Sequence, residues 1–137
     1  MIMQKAVKQK HDFGCGPACV SFVLGLDYDK IIKELGATKA KQKGFYCRDL
    51  VSVLAKFGYD YEYNYIKPKL KKRIYKPGVI VFIKRDKNYP AGHYLARVNG
   101  GWMDPWINFK KDDNIKNARA GFRKRLPGKS IYALLPV

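Results

Sequence analysis

The sequence predicts an α+β fold, a helical amino-terminal half followed by an antiparallel sheet. Residues 15–58 place apolar side chains at helical spacing between glycine stops, whereas residues 59–137 place them in short runs or strict alternation bounded by Gly, Pro or Asn. Helices first and strands afterwards is the order of α+β proteins. A chain of 137 residues, 47% of them apolar, fills one core and is too short for two ordinary domains. One domain over 1–137 is therefore expected, with its helical part at about 15–58 and its sheet part at about 59–137.

Residues 1–14 are basic and polar, with no apolar period. Gly14-Cys15-Gly16-Pro17 then opens the run Ala18 to Leu24, which Gly25 closes. Pro in a first turn and Gly past the end predict a short buried helix starting at or just after Cys15. Asp27 or Asp29 can cap a second helix carrying Ile31, Ile32 and Leu35 and stopped by Gly36. Cys47, Leu50, Val51, Leu54 and Phe57 form the apolar stripe of a third helix, ended by Gly58. Tyr59, Tyr61, Tyr63 and Tyr65 then recur at every second residue, as in a strand with one buried face. Beyond a basic linker come four short strands, Val79 to Ile83, His93 to Val98, Trp102 to Trp106 and Ile131 to Leu135.

Lys and Arg number 28 against 11 Asp and Glu, a net charge of +17, while large apolar residues run the length of the chain. Disorder is excluded by that pattern, and the basicity belongs to a folded surface. No stretch approaches the roughly 18 apolar residues of a membrane span. The opening Met1-Ile2-Met3-Gln4-Lys5 lacks the apolar core of a signal peptide, so a cytoplasmic protein is expected. Three cysteines without Cys-x-x-Cys spacing exclude a disulfide scaffold. Lys67 to Lys76 carries six cations in ten residues, and Arg119, Arg123, Lys124 and Arg125 form a second cluster. Such runs are ordinarily solvated faces; flanking the histidine strand, they are expected here to form a positive surface beside a cleft. An acidic peptide, an anionic polymer or nucleic acid would suit it, although zinc-finger spacing, an aromatic RNP-like run and a phosphate loop are all missing.

Chemistry concentrates at Cys15. A helix N-terminus favours a thiolate through its unpaired N–H groups, and the flanking glycines allow close approach. The alternative is a structural cysteine in a glycine-rich turn. Two histidines can serve as base, His11 in the polar arm and His93 at a strand start. Asn99-Gly100-Gly101 marks a turn to the strand bearing Asp104. A two-residue turn in either register puts Asp104 on the face of His93, within about 7–8 Å across the strands; a three-residue loop reverses that parity. Gln9, six residues before Cys15, can offer its amide to a developing oxyanion, and is otherwise a solvated side chain. Cys19 and Cys47 read as packing residues.

Gln9, Cys15-Gly16-Pro17-Ala18-Cys19, Gly92-His93-Tyr94 and Met103-Asp104-Pro105, in that order, resemble the papain-like peptidases of the bacteriocin-processing kind, family 39 of the cysteine peptidases. The helix between Gly44 and Gly58 and the strand at Pro77-Gly78-Val79-Ile80-Val81 extend the agreement over about residues 7–107. The resemblance implies a papain-like fold, Cys15 as nucleophile, His93 as general base and acid, Asp104 as its orienting residue and Gln9 as oxyanion donor. It implies a peptide substrate, possibly acidic, and no metal or organic cofactor. Gly14 departs from the pattern, because transporter-linked members carry an acidic residue directly before the cysteine. The same parts suit a side-chain deamidase or an acyltransferase, and the fold could also serve as the scaffold of a basic binding module.

Overall fold

The structure, a computed structural model, describes residues 4–137, so Met1, Ile2 and Met3 of the signal-peptide reading lie outside the described residues. Four helices precede the strands: α1 (Cys15–Leu24), α2 (Tyr28–Leu35), α3 (Ala37–Gln42) and α4 (Cys47–Lys56). The strands are β1 (Tyr61–Tyr65), β2 (Ile80–Ile83), β3 (His93–Val98), β4 (Gly101–Asp104), β5 (Gly121–Arg123) and β6 (Ser130–Pro136). They form one antiparallel sheet in the order β1-β6-β2-β3-β4-β5, and the architecture is α+β.

Local sequence explains where the helices stop. Gly25 takes φ +68°, and the N–H groups of Gly25 and Leu26 return to the carbonyls of Phe22 and Ser21, closing the orphaned end of α1. At the start of α4 the Asp49 carboxylate accepts the Tyr46 N–H at 2.9 Å, and Cys47, Leu50, Val53 and Leu54 are buried. Phe57 caps this helix from just outside it. Helix α3 has no apolar period in the sequence, because its six residues bury a single side chain, Ala40. This helix still matters, because the Ala40 carbonyl accepts the Phe13 N–H at 2.8 Å and anchors the arm leading to Cys15.

Two apolar layers hold the sheet. On one face Ile80, Tyr94, Ala96, Met103 and Leu134 pack against α1, α2 and α4. On the other, Val81, Leu95, Trp102 and Ala133 are covered by Tyr89 and by Ile74. Ile74 comes from the basic linker, which is not irregular throughout but contains two 3₁₀ turns, Pro68–Leu70 and Arg73–Tyr75. Burying that one isoleucine contributes about 1.5–3 kcal/mol towards holding the charged segment against the sheet.

Two further readings need correction. The tyrosines of β1 do alternate, but of these Tyr61 is buried while Tyr63 and Tyr65 are about half exposed. β1 is an edge strand pairing with β6, and α4 packs over its start; the Tyr61 hydroxyl donates to the Gly78 carbonyl there. β5 is a strand that the sequence does not predict, since its three residues include none that is fully buried.

Candidate active site

Cys15 is the first residue of α1, so its backbone N–H and that of Gly16 have no acceptor four residues back in the helix. Gly16 lets this helix press on its neighbours: a Cβ there would lie 3.0 Å from a Leu50 methyl and 3.3 Å from the Tyr94 ring. Gly14 is required by Tyr28, whose hydroxyl would stand 2.1 Å from a Cβ at that position. That hydroxyl is hydrogen-bonded to His11 Nδ1 at 2.8 Å, and the two rings stack. His11 is thus committed to Tyr28, and a buried phenol lies where the bacteriocin-processing pattern would place an acidic side chain.

His93 opens β3 and is 4% exposed. Gly92, at φ +74°, precedes it because a Cβ would fall 2.1 Å from Phe82 Cζ and 2.9 Å from the Ile83 carbonyl oxygen. The Asn99-Gly100 turn is a two-residue turn that sets Val98 opposite Gly101 and Ala96 opposite Met103. Asp104 consequently shares a face with His93, and its Oδ1 lies 2.6 Å from His93 Nε2. Oδ1 also accepts the Trp106 N–H at 2.9 Å, while Oδ2 accepts Arg123 Nε at 2.7 Å. Tyr89 stacks on the imidazole with centroids 5.1 Å apart.

Cys15 lines the same cleft as His93, close enough for its thiol to act on the imidazole's titration. Burial alone would push His93 towards the neutral form, but the bond to Asp104 and the nearby Cys15 thiol outweigh it and carry its pKa up to about 9. Asp104 is fully buried, which by itself would raise its pKa; the bonds from His93, Arg123 and Trp106 hold it below the ordinary carboxylate value. Cys19 is also fully buried and its thiol is pushed well up. Burial raises Cys47 too, although the Tyr94 hydroxyl donates to its sulfur at 3.7 Å.

Gln9 is not a solvated side chain. It is 1% exposed, its backbone N–H donates to the Pro105 carbonyl, and its amide nitrogen donates to the carbonyls of His11 and Asp12 at 3.0 and 3.1 Å. Both amide hydrogens are therefore committed to the arm, and its buried Oε1 has no partner among the described residues. Gln9, Cys15 and His93 line one cleft of about 1240 Å³. Its cations are Lys39, Lys43, Arg48 and Arg85, faced by Asp12, Asp112 and Asp113, so the lining is close to neutral. None of the cations of Lys67 to Lys76 lines it. Tyr75 packs instead on Trp102 and beneath Arg97, four residues along β3 from His93, or about 13 Å. The expectation that this segment borders the cleft fails because Ile74 anchors it over the opposite part of the sheet. Arg123, expected with its cluster to form a positive surface beside the cleft, is bound to Asp104.

This chain has the fold of peptidase domains carried by ABC transporters. It superposes on the peptidase domain of Streptococcus ComA, described as a bi-functional ABC transporter involved in a quorum sensing pathway, with a TM-score of 0.59 and 22% identity, covering 98% of both chains. A double glycine motif protease from an AMS/PCAT transporter, solved in complex with the leader peptide, gives a TM-score of 0.58 and 13% identity over 98% of this chain and 91% of that one. The peptidase domain of Streptococcus mutans ComA gives 0.56 and 20% over 97% and 98%. No protein-family model matches the sequence, nor does any curated relative. The likeness establishes the fold, in agreement with the resemblance carried by the motifs around Cys15, His93 and Asp104.

Proposed function

We propose that this protein is a cysteine peptidase that cleaves a peptide bond through a thioester on Cys15. The observation that carries the reading is a helix-terminal thiol sharing one cleft with a buried imidazole that is bonded to a buried carboxylate. In this mechanism the Cys15 proton resides on His93, and the sulfur attacks the substrate carbonyl carbon. The oxyanion accepts the Cys15 backbone N–H and one Gln9 amide hydrogen, which must open from the His11 or Asp12 carbonyl or be shared with it. His93 then gives its proton to the leaving amine as the carbon–nitrogen bond breaks, and removes a proton from the water that hydrolyses the thioester. Asp104 keeps the ring oriented throughout.

The walls of the cleft support an apolar substrate segment more than an acidic one. Tyr132, Phe82 and Tyr94 stand in register across β6, β2 and β3 and all line the cleft, an aromatic row that ends at the residue after His93. Tyr132→Ala should raise KM for a peptide with bulky apolar residues several-fold and leave kcat within about twofold, since it removes binding shared by ground and transition states. An unchanged KM would exclude this row from the substrate path.

Iodoacetamide labelling at pH 6 followed by mass spectrometry tests the core of the reading. A free thiol with a pKa near 8.5 is almost wholly protonated there. Cys15 should be alkylated at least about tenfold faster than Cys19 or Cys47, and His93→Ala should remove that advantage. Equal labelling of the three thiols would refute the assignment.

A further inference from the structure

We infer that Arg123 is a fourth, positioning member of this site, binding through Asp104 and Tyr89 both of the groups that orient the His93 ring. The inference deepens the peptidase reading and rests on it for the role of His93. The Arg123 Nε donates to Asp104 Oδ2 at 2.7 Å, on the carboxylate whose other oxygen holds His93 Nε2. Its Nη2 is 3.4 Å from the Tyr89 hydroxyl, and the Tyr89 ring stacks on the imidazole at an interplanar angle of 20°. The same nitrogen donates to the Ile107 carbonyl at 3.2 Å, which fixes the guanidinium against the loop after β4.

This arrangement divides one buried negative charge between two cations. Asp104 has no exposed surface, while the Arg123 side chain is 25% exposed, so the carboxylate is neutralised from the solvent side by arginine and from the cleft side by imidazolium. Without the guanidinium, the whole charge of Asp104 acts on His93, which then holds its proton more tightly and gives it up less readily to a leaving group. The groups facing His93 and Asp104 are Cys15 and Cys19 from α1, Tyr89 with Asp86 behind it from the β2–β3 loop, and Arg123 from β5. Among these, Arg123 supplies the positive charge. A planar fork reaching a carboxylate and a phenol at once is geometry that lysine does not reproduce.

The test is the titration of His93, followed by NMR in the full chain, together with kcat and KM. The chain has two histidines, so His11→Gln assigns the signal. Arg123→Gln keeps an N–H donor and removes the charge; His93 should titrate about 0.5–1 unit higher and kcat should fall several-fold with KM unchanged. Arg123→Lys keeps the charge and loses the fork; His93 should titrate close to the parent value while kcat still falls. A His93 titration unmoved in folded Arg123→Gln would overturn the inference. Should that variant not fold, Arg123→Lys decides: an unchanged kcat overturns the inference and a several-fold loss supports it. Absence of selective Cys15 alkylation in the parent would instead sink the peptidase reading, and the Arg123→Gln titration would still report on the Asp104 linkage.

Discussion

His93→Ala is expected to lower peptide hydrolysis by roughly 10⁴-fold or more and to leave the fold intact. The loss is large because in the proposed mechanism one ring serves three steps: it takes the Cys15 proton, protonates the leaving amine and activates water. No other imidazole can substitute, since His11 is bonded to Tyr28 in the arm. Folding should survive because Asp104 keeps the Arg123 Nε and Trp106 N–H bonds after the imidazole is gone. Cys15→Ala should cost a similar factor, and the double variant little more than either alone, as for groups that act as a unit. Steady-state rates with thermal melts check this; a fall below about tenfold in a folded His93→Ala would remove the imidazole from the mechanism.

Much of this site is legible from backbone rules. Gly25 and Gly58 bound helices whose apolar positions repeat at helical spacing, and Asn99-Gly100 fixes a register from which the meeting of His93 and Asp104 follows by parity alone. What stayed hidden depends on contacts without a local pattern. α3 buries one alanine, and β5 is three residues in a basic stretch, so neither carries a period. The sequence groups Arg123 with Arg119, Lys124 and Arg125 as a positive surface beside the cleft and carries no sign that its side chain binds Asp104. Pairing β5 with β4 would have exposed it: Arg123 opposite Trp102 and Gly121 opposite Asp104 place the arginine diagonally across from the carboxylate. The burial of Gln9 was equally unreadable, because its partners are backbone carbonyls of its own arm, at His11 and Asp12. Two of the three tyrosines of β1, Tyr63 and Tyr65, are open to solvent, a tertiary fact that alternation does not encode.

Asp104→Asn is expected to reduce turnover about 10–100-fold, less than Cys15→Ala, and to destabilise the protein by about 1–3 kcal/mol. Asp104 accepts from three donors, with His93 and Trp106 on Oδ1 and Arg123 on Oδ2. An asparagine has one acceptor oxygen. Directed at His93 and Trp106, it still orients the ring, but its NH₂ group then confronts the Arg123 guanidinium, leaving that donor unpaired in a carboxylate's place. Rotated the other way it satisfies Arg123 and loses the imidazole. The stability difference should depend on acid with a definite sign. The pKa of Asp104 is lowered in the folded protein, so its contribution is present above the unfolded value of about 3.9 and is lost as pH falls through the lower folded value. Thermal melts of parent and variant should therefore differ most above about pH 5 and converge on acidification below pH 4. A gap in melting temperature that stays constant down to pH 3 would show that the carboxylate is not held ionised by these three donors, and turnover as low as that of Cys15→Ala would show that an amide cannot orient His93 here.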